Sequence, residues 1–127
     1  MVTGLRFVWL EVEELDRSLQ FYRDGLGLRV AEVAPAGGQR LASVEAGELE
    51  LILAQTGAAE QPRGLGIRLY VIAHDVDHYA AALRSRGLSP SALSEEPWGG
   101  RVAEIRDPDG YVICLVQARH QMMPDEP

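Results

Sequence analysis

The chain has 127 residues, 46% of them apolar and 24% charged, the balance of one globular domain with a single core. Nineteen acids against twelve bases give a net charge of −7, which repels phosphate backbones and anionic bilayers, so neither nucleic acid nor a membrane is an expected partner. The lone Cys114 leaves no internal disulfide, no apolar run nears the roughly 20 residues that span a bilayer, and the expected compartment is the cytoplasm.

Residues 5–12 alternate, with Val8, Leu10 and Val12 on one side and Phe7, Trp9 and Glu11 on the other, which is the period of a strand. Leu15, Leu19, Tyr22 and Leu26 then recur at helical spacing, with Gly25 and Gly27 as the stop. Strands follow at 28–34, 40–45 and 48–54, separated by turn chemistry at Pro35-Ala36-Gly37-Gly38 and Ala46-Gly47. Residues 56–64, with two glycines, a proline and no apolar period, read as a linker. The order then repeats. A strand at 67–72 precedes a helix at 76–86, with Tyr79, Ala80 and Leu83 inward and Gly87 as its end. A weak strand is expected within 88–93, then strands at 101–106 and 111–117 joined by Asp107-Pro108-Asp109-Gly110. The expected fold is α+β: one domain over 1–120 built from βαβββ modules at 5–55 and 65–118, followed by a flexible tail at 121–127. The modules form curved mixed sheets around one cavity. Leu49-Glu50-Leu51 and Ile113-Cys114-Leu115 are read as equivalent stretches of the two closing hairpins.

The run from Val12 to Gly27, with its Phe21-Tyr22 and Leu26-Gly27 ending, is one marker of a known family. Trp98-Gly99-Gly100 followed by Asp107-Pro108-Asp109-Gly110-Tyr111 is a second. Together they resemble the vicinal oxygen chelate superfamily, which holds glyoxalase I, bleomycin-resistance proteins and extradiol dioxygenases, over nearly the whole chain. In its metal-using members four ligands, from the first and last strand of each half, bind a divalent ion. The resemblance carries those places onto Phe7, Glu50, Arg68 and Cys114. Phenylalanine has no lone pair and arginine stays protonated, so the remaining Glu50 and Cys114 make an incomplete site. No metal and no other cofactor is therefore expected, a divalent metal being the alternative. Arg68 would stand where the cation stood, paired with Glu50 and near Glu11.

Alternation puts Trp9, Ile52 and Tyr70 on the cavity side of their strands, and Trp98, followed by Gly99 and Gly100, is either a lid over the cavity or a packing anchor for its loop. Such a cavity suits a small aromatic or amphipathic molecule held without chemistry, as in resistance or sequestration, by a homodimer. The alternative is an enzyme, either a metal-dependent lyase, isomerase or dioxygenase or a metal-free one with Glu50 as general base. A third reading makes Phe7, Trp9 and Tyr70 plain core of a structural module. Cys114 reads as a small buried hydrophobe. His74 and His78 stand four apart, but Asp75 between them is the expected helix cap, so their side chains diverge; His120 is read as solvated.

Overall fold

The computed structural model describes residues 1–98 and 100–117; the expected tail and His120 lie outside them. The chain divides at Arg63/Gly64 into two compact units. The first contains strand β1 (Phe7–Val12), helix α1 (Leu15–Leu19) prolonged by a π-helical segment (Gln20–Gly25), and strands β2 (Arg29–Ala36), β3 (Gln39–Ala46) and β4 (Leu49–Gln55). The second contains β5 (Arg68–Ala73), α2 (Val76–Ser85), β6 (Ser94–Glu95), β7 (Arg101–Arg106) and β8 (Val112–Gln117). Both are βαβββ units with one four-stranded mixed sheet, in the orders β1-β4-β3-β2 and β5-β8-β7-β6. In each, the first strand lies parallel to the last and the other pairs are antiparallel.

In each unit the helix covers an apolar face of the sheet. In the first unit Leu10, Val12, Val44, Leu51 and Leu53 are buried with Leu15, Leu19 and Tyr22. In the second, Ala103, Ile105, Ile113 and Leu115 are buried with Val76, Ala80 and Leu83. Each large side chain so covered contributes about 1.5–3 kcal/mol. The π-helical segment shows in the bond from Leu26 N–H to the Phe21 carbonyl at 2.8 Å, one residue longer than an α-helical bond. Phe21 and Tyr22 both face inward there, their rings edge to face with centroids 5.0 Å apart.

The two helices start alike. Glu14 makes no side-chain cap for α1; the side-chain oxygen of Gln55, at the end of β4, accepts from Leu15 N–H at 2.8 Å. Gln117, at the end of β8, accepts from Val76 N–H at 2.8 Å. The Asp75 carboxylate caps α2 as expected, accepting from His78 N–H at 3.0 Å. Val12 pairs with Gln55 and Ala73 with Gln117, so the caps align the units residue by residue. Phe7 opposite Glu50 then corresponds to Arg68 opposite Val112, and Trp9 opposite Ile52 to Tyr70 opposite Cys114. The counterpart of Leu49-Glu50-Leu51 is therefore Tyr111-Val112-Ile113, two residues before the expected stretch. A two-residue slip leaves each side chain on its own face, so alternation alone does not detect it.

The weak strand of the second unit also moves. It is the pair Ser94–Glu95, opposite Val102 and Arg101, and not a stretch within 88–93. Part of that stretch is tied to β7 another way: Ser91 N–H donates to the Glu104 carbonyl, and the Ser91 hydroxyl accepts from Glu104 N–H, each at 2.8 Å. The turn before β8 forms as read, with the buried Asp107 carboxylate accepting from Asp109 N–H at 2.9 Å and Tyr111 N–H at 2.8 Å. Among the described residues no helix is long and apolar enough to cross a membrane.

Candidate ligand-binding faces

The sheet face turned away from the helix carries the candidate residues in both units. On the first sheet, Phe7, Trp9 and Glu11 of β1 stand opposite Glu50, Ile52 and Ala54 of β4. Phe7 is 55% and Trp9 58% exposed, while Ile52 and Glu50 are half-buried. The hydroxyl of the buried Ser43 donates to Glu50 Oε2 at 2.6 Å, and Glu50 N–H donates to the Arg6 carbonyl at 2.9 Å. Glu45, opposite Glu50 on β3, forms an ion pair with Arg29. A pocket of about 600 Å³ opens at this end of the sheet, with Arg6, Glu45, Glu48 and Glu50 among its walls.

On the second sheet, Arg68 Nη1 meets Glu104 Oε1 at 2.8 Å, reaching from β5 across β8 to β7. The same nitrogen lies 3.8 Å from Cys114 Sγ, beneath it on the central strand. The pair is half-exposed, so solvent screening leaves it little weight in stability. The Glu104 carboxylate, first of several causes, raises the Arg68 guanidinium further above its ordinary value. Burial pushes the Cys114 thiol up, and Arg68 offsets part of this. Burial also pushes the Tyr70 phenol up. The Trp98 ring stands edge-on to Tyr70, centroids 6.4 Å apart, and both are about half exposed. Gly100 lies directly under that indole: a Cβ there would sit 1.9 Å from the ring.

Phe7, Trp9, Glu11, Glu50 and Ile52 thus share the open face of the first sheet, and Arg68, Tyr70, Cys114 and Trp98 gather on the second. The carboxylate at Arg68 is Glu104 in place of the expected Glu50, whose own side-chain bond comes from Ser43. Between Arg101 and Arg106, Glu104 reads as a solvated charge; its alternation with Val102 is the signal that puts it on the face of Cys114. Ser43 was equally silent, being one hydroxyl in an apolar strand. His74 precedes α2, where its carbonyl accepts from the Gln117 amide, and His78 is exposed.

With the corrected register, the places that the resemblance assigns to metal ligands hold Phe7, Glu50, Arg68 and Val112. Two hydrocarbons, one cation and one carboxylate do not fit a divalent ion, which needs several oxygen or nitrogen donors. Among the described residues, no three His, Cys, Asp or Glu side chains are grouped to hold one.

Paired βαβββ units, each with one sheet face under a helix, define a two-module α+β fold; on the second sheet the opposite face holds the buried cluster of Val102, Cys114 and Val116. The model of the Glyoxalase/Bleomycin resistance protein/Dioxygenase superfamily matches residues 5–115, and the chain belongs to that superfamily. No curated protein matches it closely enough to count as a relative. Among solved structures it is similar to TnmS3, an antibiotic binding protein from Streptomyces sp. CB03234, at 28% identity and a TM-score of 0.77, over 91% of this chain and 96% of that one. It shares its fold with lactoylglutathione lyase from Agrobacterium tumefaciens, at 22% identity and a TM-score of 0.72, over 93% and 96% of the two chains. TioX from Micromonospora sp. ML1 has the same fold, at 22% identity and a TM-score of 0.71, over 91% and 99%.

Proposed function

We propose that the protein binds a small planar aromatic or amphipathic molecule and holds it unchanged, as a resistance or sequestration protein does. The observation that carries this reading is uncovered aromatic surface: Phe7 and Trp9 on β1, Tyr70 on β5 and Trp98 in the loop before β7 are each about half exposed. A ligand that covers such surface recovers about 25 cal/mol per Å² of apolar area. Similarity to an antibiotic binding protein supports the same reading. In this view the protein uses no cofactor and works in the cytoplasm as a homodimer, a state that light scattering after gel filtration checks.

The test is a titration of tryptophan fluorescence with bleomycin and with acridine, followed by mass spectrometry of the recovered ligand. Saturable quenching with unchanged ligand is expected, and Trp9→Ala weakens binding about tenfold or more, as loss of an aromatic anchor does. Absence of saturable binding to both probes, or conversion of a bound probe, overturns the reading.

A further inference from the structure

We infer that the ligand carries a positive charge and that Glu50, on the same sheet face as Phe7 and Trp9, receives it. This deepens the binding reading above and rests on it. The two open faces settle their charges differently. In the second unit Arg68 is matched by Glu104 at 2.8 Å, so that face is locally neutral. In the first unit Glu45 is matched by Arg29, but among the described residues no cation pairs with Glu50. Its side-chain partner is the Ser43 hydroxyl, which fixes Oε2 at 2.6 Å and brings no charge. Oε1 is left to accept from something else.

The surroundings say what that is. Phe7 is the register partner of Glu50 on the parallel strand, and Trp9 follows two residues on, on the same face. Neighbouring strands run 4.7–4.9 Å apart, so the carboxylate and both rings lie within the width of one small molecule. The π-face of an aromatic ring attracts a cation, most strongly for tryptophan. One carboxylate beside two exposed rings on the same sheet face is therefore a receptor for an organic cation: a protonated amine, a quaternary ammonium or a protonated heteroaromatic ring. A bare divalent ion is a poor occupant, because the rings give it no oxygen donors. The adjoining pocket has the size of small-molecule sites, about 300–1,000 Å³, and its walls hold Glu45, Glu48 and Glu50 against Arg6 alone.

Acridine and 9-aminoacridine separate charge from shape, since at pH 8 the first is neutral and the second protonated, with nearly the same planar outline. The wild-type protein is expected to bind 9-aminoacridine about tenfold tighter, the equivalent of one favourable charge contact. Glu50→Gln is expected to bind the two equally, with an unchanged melting temperature. Glu14→Gln, which removes the same charge beside α1, keeps the tenfold preference. Equal binding of the two dyes by wild type, or a preference that survives Glu50→Gln, overturns the inference while leaving the binding reading standing. Failure of both dyes to bind sinks both.

Discussion

Trp98 keeps its seat because residue 100 has no side chain. A Cβ at that position would meet Cζ3 of the indole at 1.9 Å and Cη2 at 2.1 Å, and the backbone of Gly100, unlike that of many glycines here, lies outside the left-handed region. Gly100→Ala is thus tolerated by the main chain but not by the ring above it, which is half-exposed and free to swing away. The expected stability change is under about 1 kcal/mol, while the near-ultraviolet dichroism of the Trp98–Tyr70 pair is lost. With Trp9 replaced by phenylalanine, Trp98 is the sole tryptophan, and its emission in Gly100→Ala shifts to the red. Unchanged spectra would show that the indole does not depend on this glycine. Beside it, Cys114 is fully buried and its thiol is pushed up, so less of it is thiolate than in a free cysteine at the same pH. Ellman's reagent at pH 8 is expected to react slowly with native protein and at once in guanidinium; equal rates would contradict this environment.

The helices depend on glutamines from strands at a distance in sequence. Gln55→Ala removes the acceptor of Leu15 N–H, and Gln117→Ala that of Val76 N–H, each a main-chain donor at a buried residue. Each change is expected to cost about 1 kcal/mol, measured as a lower urea midpoint at constant slope. A cost indistinguishable from that of an exposed substitution such as Arg17→Ala would remove the cap from the account. These caps also explain what the sequence could and could not reveal. The strands other than the short β6, both helices and the order βαβββ were legible, because alternation and helical spacing are properties of neighbouring residues. The register of β8 was not: 111–116 is apolar almost throughout, and a slip of two residues keeps its faces the same. Long-range partners fix it: the ladders of β8 with β5 and β7 and the bond of Gln117 to Val76. For the site, alternation placed Phe7 with Trp9 and put Trp9, Ile52 and Tyr70 on the face away from the helix, while Glu50 was reached through the resemblance. The partners Glu104 and Ser43 did not: Glu104 reaches Arg68 across the intervening β8, and Ser43 meets Glu50 diagonally across the β3–β4 hairpin, a pairing that depends on register.

Negative charge is spread over both units: residues 1–63 carry ten acids against six arginines, and residues 64–127 nine against six. Every base other than histidine is arginine, there being no lysine in the chain. Such a field draws any cation toward the molecule from a distance, and this general attraction has to be separated from recognition at Glu50. Salt does so, because charges in open solvent are screened beyond about 10 Å at 0.1 M and beyond about 3 Å at 1 M. A carboxylate in contact with the ligand, half-buried and held by a hydroxyl, is screened far less. Between 0.05 and 1 M sodium chloride (~0.05–1 M, spanning Debye lengths from above to below the ligand's size), the association rate of 9-aminoacridine measured by stopped flow is expected to fall several-fold. The ratio of its affinity in wild type to that in Glu50→Gln is expected to keep most of its value over the same range. If the ratio collapses together with the rate, the preference belongs to the overall charge of the protein, and Glu50 is one acid among nineteen.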